Sequence, residues 1–360
     1  MRVNDLYVYS VARDMLLDGN VPYRDWPFEY PPLALVPIGL AGGDAIALSL
    51  LMLGCALACQ AAARALGGPA SGWLMVALPP VAGALVRTHF DLLPAALTLI
   101  ALVLLARGRP TAGLTALGLG TMTKLWPAAV TLIALAWLVG AGRIAEARRA
   151  LLAFVAVVAV IGVPFVVAGG FPSEMVRFHL ERPVQIESTP ASVLELIGGS
   201  YVTGAPVRPD RFKSNGLDGG AAGAVALLFN LALVAATAWL VVLTARRAGS
   251  TAALLLGAFA VTLAFVALGK VLSPQYVCWL LPLAAVAWSH GARAGAALTA
   301  AASLVTQLWF PARYFDVVFQ ESWAISAVAV RNALLLAALA ATARALARCP
   351  RPAAAPRRSG

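Results

Sequence analysis

Residues 4–32 read NDLYVYSVARDMLLDGNVPYRDWPFEYPP, and the contrast between this polar stretch and the apolar chain after it decides the fold. Asp5, Asp14, Asp18, Asp25 and Glu29 supply five of the chain's 16 acidic residues here, interleaved with aromatics. From Asp44 to Arg348 the chain instead passes through apolar runs bounded by charge or by Pro and Gly. A helix needs about 20 apolar residues to cross a bilayer core. Hydrophobic residues make up 61% of the chain and charged residues 12%, about half the charge of a soluble domain. The expected fold is all-α, a polytopic transmembrane helical bundle forming one domain over residues 1–346. About 11 spans are expected, near 44–66, 70–86, 91–106, 111–123, 126–141, 150–169, 221–245, 251–269, 274–290, 294–310 and 323–346.

The net charge of +11 does not point to nucleic acid, because the Lys and Arg residues sit at the ends of apolar runs rather than in a binding patch. The four cysteines give no disulfide framework and no metal spacing.

Alternate connecting segments differ in charge. One set holds Arg64, Arg107 and Arg109, Arg143, Arg148 and Arg149, Arg246 and Arg247, Arg293, and the C-terminal arginines, with almost no acid. By the positive-inside rule this set is cytoplasmic. The tail 347–360 is then a disordered basic cytoplasmic segment. The other set faces outward. It comprises residues 1–43, the turn 87–91, Lys124, the loop 170–220, 270–275 and 311–322. An external N-terminus without a preceding span implies either that the first helix inserts in an unusual way or, as is expected here, that a first transmembrane helix lies upstream of Met1.

The outward segments hold most of the side chains suited to chemistry. Asp5 lies between aromatics, and Leu6–Leu17 has the helical spacing of an interfacial helix. Pro31 and Pro32 follow Glu29 and Tyr30. They either only start the next helix or also hold Glu29 and Tyr30 in place. Arg87, Lys124 and Lys270 put cations at the outer boundary, with His89 and Gln275 beside them. Snorkelling accounts for such cations. Positive charge outside nevertheless runs against the topology bias, and several cations at one depth suit a lipid-linked phosphate. In the loop 170–220, Arg182, Gln185 and Glu187 are candidates for sugar or phosphate contacts, although most of such a loop is ordinarily solvated. There is no P-loop, no GxGxxG on a strand, no HExxH and no DxD, so neither a metal nor a cofactor is expected. Without a nucleotide site, an external reaction draws on a polyprenyl-phosphate carrier.

Taken in order, NDLYVY with EYPP, FDLLPA, KLWPA, ERPVQIESTPASVL and GKVLSPQYVCWLLP resemble glycosyltransferase family 87, whose members are GT-C membrane enzymes typified by actinobacterial polyprenol-phosphate-mannose-dependent mannosyltransferases. The resemblance implies Asp5 as catalytic base. It implies Arg87, Lys124, Arg182 and Lys270 around the donor phosphate. Glu29, Tyr30, His89, Gln185, Glu187, Gln275 and Tyr276 would contact substrate. It further implies an inverting displacement on the outer face of the cell inner (plasma) membrane, from a polyprenyl-phosphate sugar to a glycolipid or cell-wall glycan acceptor. The segment SPQYVCW at Ser273–Trp279 lacks the histidine frequent in mannosyltransferase members, so arabinose or another pentose stands beside mannose.

A transporter or flippase of lipid-linked sugars is the alternative. It would need polar groups along a path at mid-depth and internal repeats. Arg331, with Asn332 after it, is the one charge well inside a span. It is expected to face the bundle and bind a carbonyl.

Overall fold

A computed structural model describes residues 5–204 and 215–351. The first part contains α1 (Leu6–Leu17), α2 (Leu35–Ala41), α3 (Ala45–Val81), the single turn α4 (Leu85–Thr88), α5 (Leu92–Ala106), α6 (Pro110–Thr123), α7 (Pro127–Gly140) and α8 (Ile144–Ala168). Then come α9 (Ser173–Glu181), β1 (Val184–Gln185), α10 (Thr189–Ile197), β2 (Ser200–Thr203) and β3 (Gly216–Gly219). The last part is α11 (Ala222–Arg246), α12 (Thr251–Leu268), α13 (Val277–Ser289), α14 (Arg293–Thr306), α15 (Tyr314–Val318) and α16 (Ser322–Ala347). The expected disordered tail lies, from residue 352 on, outside the described residues.

Every expected span falls on a helix, but the count of about 11 does not carry over as 11 crossing-length helices. Among the described residues five helices, α3, α8, α11, α12 and α16, have the length and apolar composition to cross a membrane. The expected spans 44–66 and 70–86 fall on α3, which breaks at Gly68 with φ +76°. Only glycine takes such a backbone freely. The helices α5, α6, α7, α13 and α14 have 13 to 15 residues. At 1.5 Å per residue they rise about 20 Å, short of a ~30 Å core. Their sequences explain the shortness. Gly108 (φ +72°) ends α5 and Pro110 opens α6, the usual glycine-out, proline-in pairing of helix ends.

Packing separates an inner helix from outer ones. Nearly every side chain of α12 is buried, and its neighbours are α7, α11, α13 and α16. By contrast α8 exposes Val155, Val160, Val163 and Val167, and α11 exposes Leu227, Leu228, Leu231 and Val234. Apolar surface of this extent is stable against lipid and not against water. Within the helices the backbone groups bond internally, as a bilayer demands.

The expected long loop is built rather than open. The strands β1, β3 and β2 form an antiparallel sheet in that order, with Gln185 opposite Gly216 and Tyr201 opposite Asp218. This sheet fixes one side of the site. On another side the first loop is pinned at Tyr23, which donates from its hydroxyl to the Tyr30 carbonyl at 2.7 Å. Gly170 closes on it. Its φ is +93°, and a Cβ there would stand 2.5 Å from the Tyr23 carbonyl oxygen.

Candidate active site

Most of the candidate side chains sit just before or just after a helix. Asp5 lies directly before α1. Glu29 and Tyr30 precede Pro31, whose φ of −62° and ψ of 159° hold the chain extended until Pro32 starts a short 3-10 turn. The prolines therefore both start a helix and place Glu29 and Tyr30. His89 follows α4 in an extended conformation. Lys124 ends α6 with φ −150° and ψ 145°, and Pro127 opens α7. Proline has no N–H to continue a helix, so the apolar run breaks there and turns the lysine inward. Arg182 follows α9, and Lys270 to Tyr276 link α12 to α13.

These ends converge on one cavity of about 680 Å³. Asp5, Glu29, Tyr30, His89, Lys124, Arg182, Gln185, Glu187, Lys270, Gln275 and Tyr276 all line it. Arg87 does not: it is exposed on α4 and stands outside the lining. A four-residue helix turns His89 inward and leaves its neighbour two positions back facing away.

At one end Asp5 Oδ2 stands 3.4 Å from His89 Nε2 and accepts a bond from the Tyr9 hydroxyl at 3.4 Å. Burial pushes the Asp5 carboxyl up, but His89, Lys124 and the Tyr9 bond together hold it below the ordinary carboxylate value. Thr88 Oγ1 donates to the Ala84 carbonyl and lies 2.9 Å from His89 Nδ1. A hydroxyl carries one proton. With that proton on Ala84, Nδ1–H donates to Thr88, which orients the ring.

Lys124 is 6% exposed and pairs with Asp91, which is wholly buried, at 2.8 Å. Asp91 Oδ1 also accepts from Trp279 Nε1 at 2.6 Å. The rings of Phe90, Tyr30 and Trp279 surround the ammonium at 4.7, 5.0 and 5.6 Å, distances at which ring faces attract a cation. Tyr276 stacks on Trp279 with centroids 3.8 Å apart.

The third wall is cationic. Arg182 Nη1 meets Glu29 Oε2 at 3.4 Å, and His179 Nε2 donates to the Glu29 carbonyl at 3.0 Å. Lys270 donates to the carbonyls of Leu180 and Arg182 at 2.8 and 2.7 Å, bracing the C-terminal end of α9. Burial and then the Arg182 charge pull the Lys270 ammonium below its usual range. A buried and a half-buried cation kept side by side form a place for an anion.

Glu187, also in the wall, is 1% exposed. Burial pushes its carboxyl up to about 7, against the opposing pull of Arg331 and of bonds from Trp309 and Gln185. Arg331 Nη2 donates to the Glu187 carbonyl at 2.6 Å, as the sequence led us to expect of a bundle-facing charge, and Asn332 Nδ2 reaches the same oxygen at 3.3 Å. Sequence reasoning did not single out Asp91, Trp279, His179, Asn215, Ser273 or Tyr314. Asp91 carried a signal, since an acid beside the apolar start of α5 asks for a partner.

The profile of glycosyltransferase family 87 matches residues 30–265. The match includes Lys124, Arg182 and Glu187, while Asp5 and Lys270 lie outside it. No curated protein sequence matches the chain. Among solved structures, the crystal structure of ArnT from Cupriavidus metallidurans bound to undecaprenyl phosphate aligns with a TM-score of 0.48 and 18% identity, covering 96% of this chain and 73% of that one. Its apo form gives 0.47 and 18%, covering 96% and 74%.

Proposed function

Because the chain belongs to glycosyltransferase family 87, we propose that it transfers a sugar, mannose first among the candidates, from a polyprenyl-phosphate carrier to a glycolipid or cell-wall glycan acceptor. The reaction takes place at the extracytoplasmic face of the plasma membrane. One observation carries this reading: Asp5, paired with His89, shares a single cavity with Lys124, Arg182 and Lys270.

In this reading Asp5 takes the proton of an acceptor hydroxyl. The acceptor oxygen bonds to the anomeric carbon as the bond from that carbon to the phosphate oxygen breaks. The phosphate leaves with the electron pair, and the configuration inverts. A positioned general base contributes about 10²–10⁴-fold. The lowered Asp5 carboxyl keeps the base ionised before it acts. Lys124 and Arg182 meet the charge that develops on the phosphate, where fixed cations in a water-poor site act most strongly. Lys270 holds the Arg182 backbone and adds its own charge. Asp91 keeps Lys124 aimed. Arg87, exposed on the outside of α4, takes no part.

Membranes containing the chain should move radiolabel from polyprenyl-phosphate mannose, or from its hexose and pentose counterparts, into a lipid-extractable or glycan product. Membranes lacking it should not. Absence of transfer across that donor set, with the folded protein present, would overturn the reading.

A further inference from the structure

The cavity is not uniform in chemistry. Beside the cations Lys124, Arg182 and Lys270 it is lined by Glu187, Asn215 and Tyr314, and the Arg182 charge reaches both Glu187 and Tyr314. We propose that the corner formed by Glu187, Asn215 and Tyr314 is a subsite for the hydroxyl groups of a sugar ring, beside the cations that take the phosphate; this rests on the glycosyltransferase reading of the cavity.

Asn215 is 3% exposed. Its Nδ2 donates to the Tyr314 hydroxyl at 3.2 Å, while its Oδ1 is buried with no partner among the described residues. Buried polar atoms are almost always bonded, so an unpartnered acceptor in a cavity wall marks the place of a donor supplied from outside. Glu187 has capacity to spare as well. Among the described residues its carboxyl oxygens accept only a 3.5 Å bond from Trp309 Nε1 and a 3.2 Å bond from Gln185 Nε2, where each oxygen has two lone pairs.

The nearest strong cation does not neutralise that carboxyl directly. Arg331 spends its Nη2 on the Glu187 carbonyl, and among the described residues no salt bridge reaches the Glu187 carboxyl. An ionised Glu187 disfavours a phosphate placed directly against it, although the Arg182 charge also reaches this carboxyl, whereas a hydroxyl donates to both Glu187 and Asn215. The Glu187 carboxyl, held up to about 7 by burial, can also donate near neutral pH.

The corner is rigid. Ile186 N donates to the Asn215 carbonyl at 3.4 Å beside the β1–β3 ladder. Asn332 bonds both the Glu187 carbonyl and Ser192 Oγ, which fastens the corner to α16 and α10. Phe310 meets the Tyr314 ring edge-on with centroids 6.0 Å apart, and Phe315 also lines the cavity. They give an apolar wall for the C–H face of a sugar.

The test compares binding to the purified full chain of bare polyprenyl phosphate, polyprenyl phosphates bearing mannose, glucose, galactose or arabinose, and alkyl glycosides of the same sugars. Asn215→Ala deletes the unpartnered acceptor, and Tyr314→Phe removes one hydroxyl as a second, milder change. Asn215→Ala also removes the Nδ2 bond to Tyr314, so its melting temperature is measured alongside to establish that it folds. It should bind bare polyprenyl phosphate unchanged and lose about tenfold, the worth of one good hydrogen bond, on a sugar-bearing probe.

A loss confined to the sugar-bearing carrier assigns the corner to the donor sugar. A loss confined to the alkyl glycosides assigns it to the acceptor sugar. Unchanged binding of every probe by both folded variants would overturn the subsite. If the wild type fails to bind bare polyprenyl phosphate, the carrier reading fails instead, and the alkyl glycosides still decide the subsite.

Discussion

Asp5 and His89 show how much a single pair settles. Burial alone would raise the Asp5 carboxyl, and His89 is the chief reason it lies low. His89→Leu removes that pull. The acid limb of the pH–rate profile should then move to higher pH, because the base form of Asp5 is populated only above a raised value. An acid limb that stays in place would show that His89 does not tune Asp5. Glu187 behaves in the opposite sense. Its folded value of about 7 lies above the ordinary 4.5, so the folded state binds the extra proton between those values and stability falls as pH rises through that window. The full difference corresponds to about 3 kcal/mol. Glu187→Gln should flatten the dependence of the melting temperature on pH between about 5 and 7; an unchanged slope would contradict the burial account. At this scale the sequence was partly legible. Asp5 and Glu29 stand out because acids cluster in the first segment, and the outer cations because positive charge there runs against the positive-inside bias. Asn215 and Tyr314 are invisible in the sequence, because neutral polar residues in a long loop carry no charge signal and gain meaning only when the sheet folds.

Among the elements, the breaks matter more than the helices. Lys124, His89 and Arg182 reach the cavity because proline, an extended residue or a helix end interrupts the run at each point. The apolar runs were legible, since length and hydropathy report a membrane helix directly. The breaks at Gly108 and Lys124 were legible too, and the expected bounds 91–106, 111–123 and 126–141 match α5, α6 and α7; hydropathy did not report that helices this short rise only about 20 Å. The loop after α8 was read as solvated, and its three-stranded sheet went unseen because two- to four-residue strands are too short for an alternating pattern. Gly170 tests the importance of the breaks. Its φ of +93° and its approach to the Tyr23 carbonyl leave no room for a side chain. Gly170→Ala should lower stability by about 1–3 kcal/mol, the cost of a strained backbone, and should weaken activity by loosening Tyr23 from Tyr30. A variant as stable as the wild type would show that this close approach is not required.

For the molecule as a whole, lipid-facing helices such as α8 and α11 carry a polar, charged cavity at one set of helix ends. The buried α12 runs into the Lys270–Tyr276 segment that walls it. The arginine bias leads to the expectation that the charged segments share one side, but says nothing of their meeting, because segments more than 200 residues apart come together only through packing. The central claim is that Asp5 acts as a base on an acceptor whose partner sugar arrives on a polyprenyl phosphate. The most direct test measures turnover and donor affinity together for Asp5→Asn, an isosteric change that keeps a hydrogen-bond acceptor beside Tyr9 and His89. The account requires kcat to fall by about 10²–10⁴-fold while the polyprenyl-phosphate donor binds as it does to the wild type. Turnover within a few-fold of the wild type, in folded protein with intact donor binding, would contradict it.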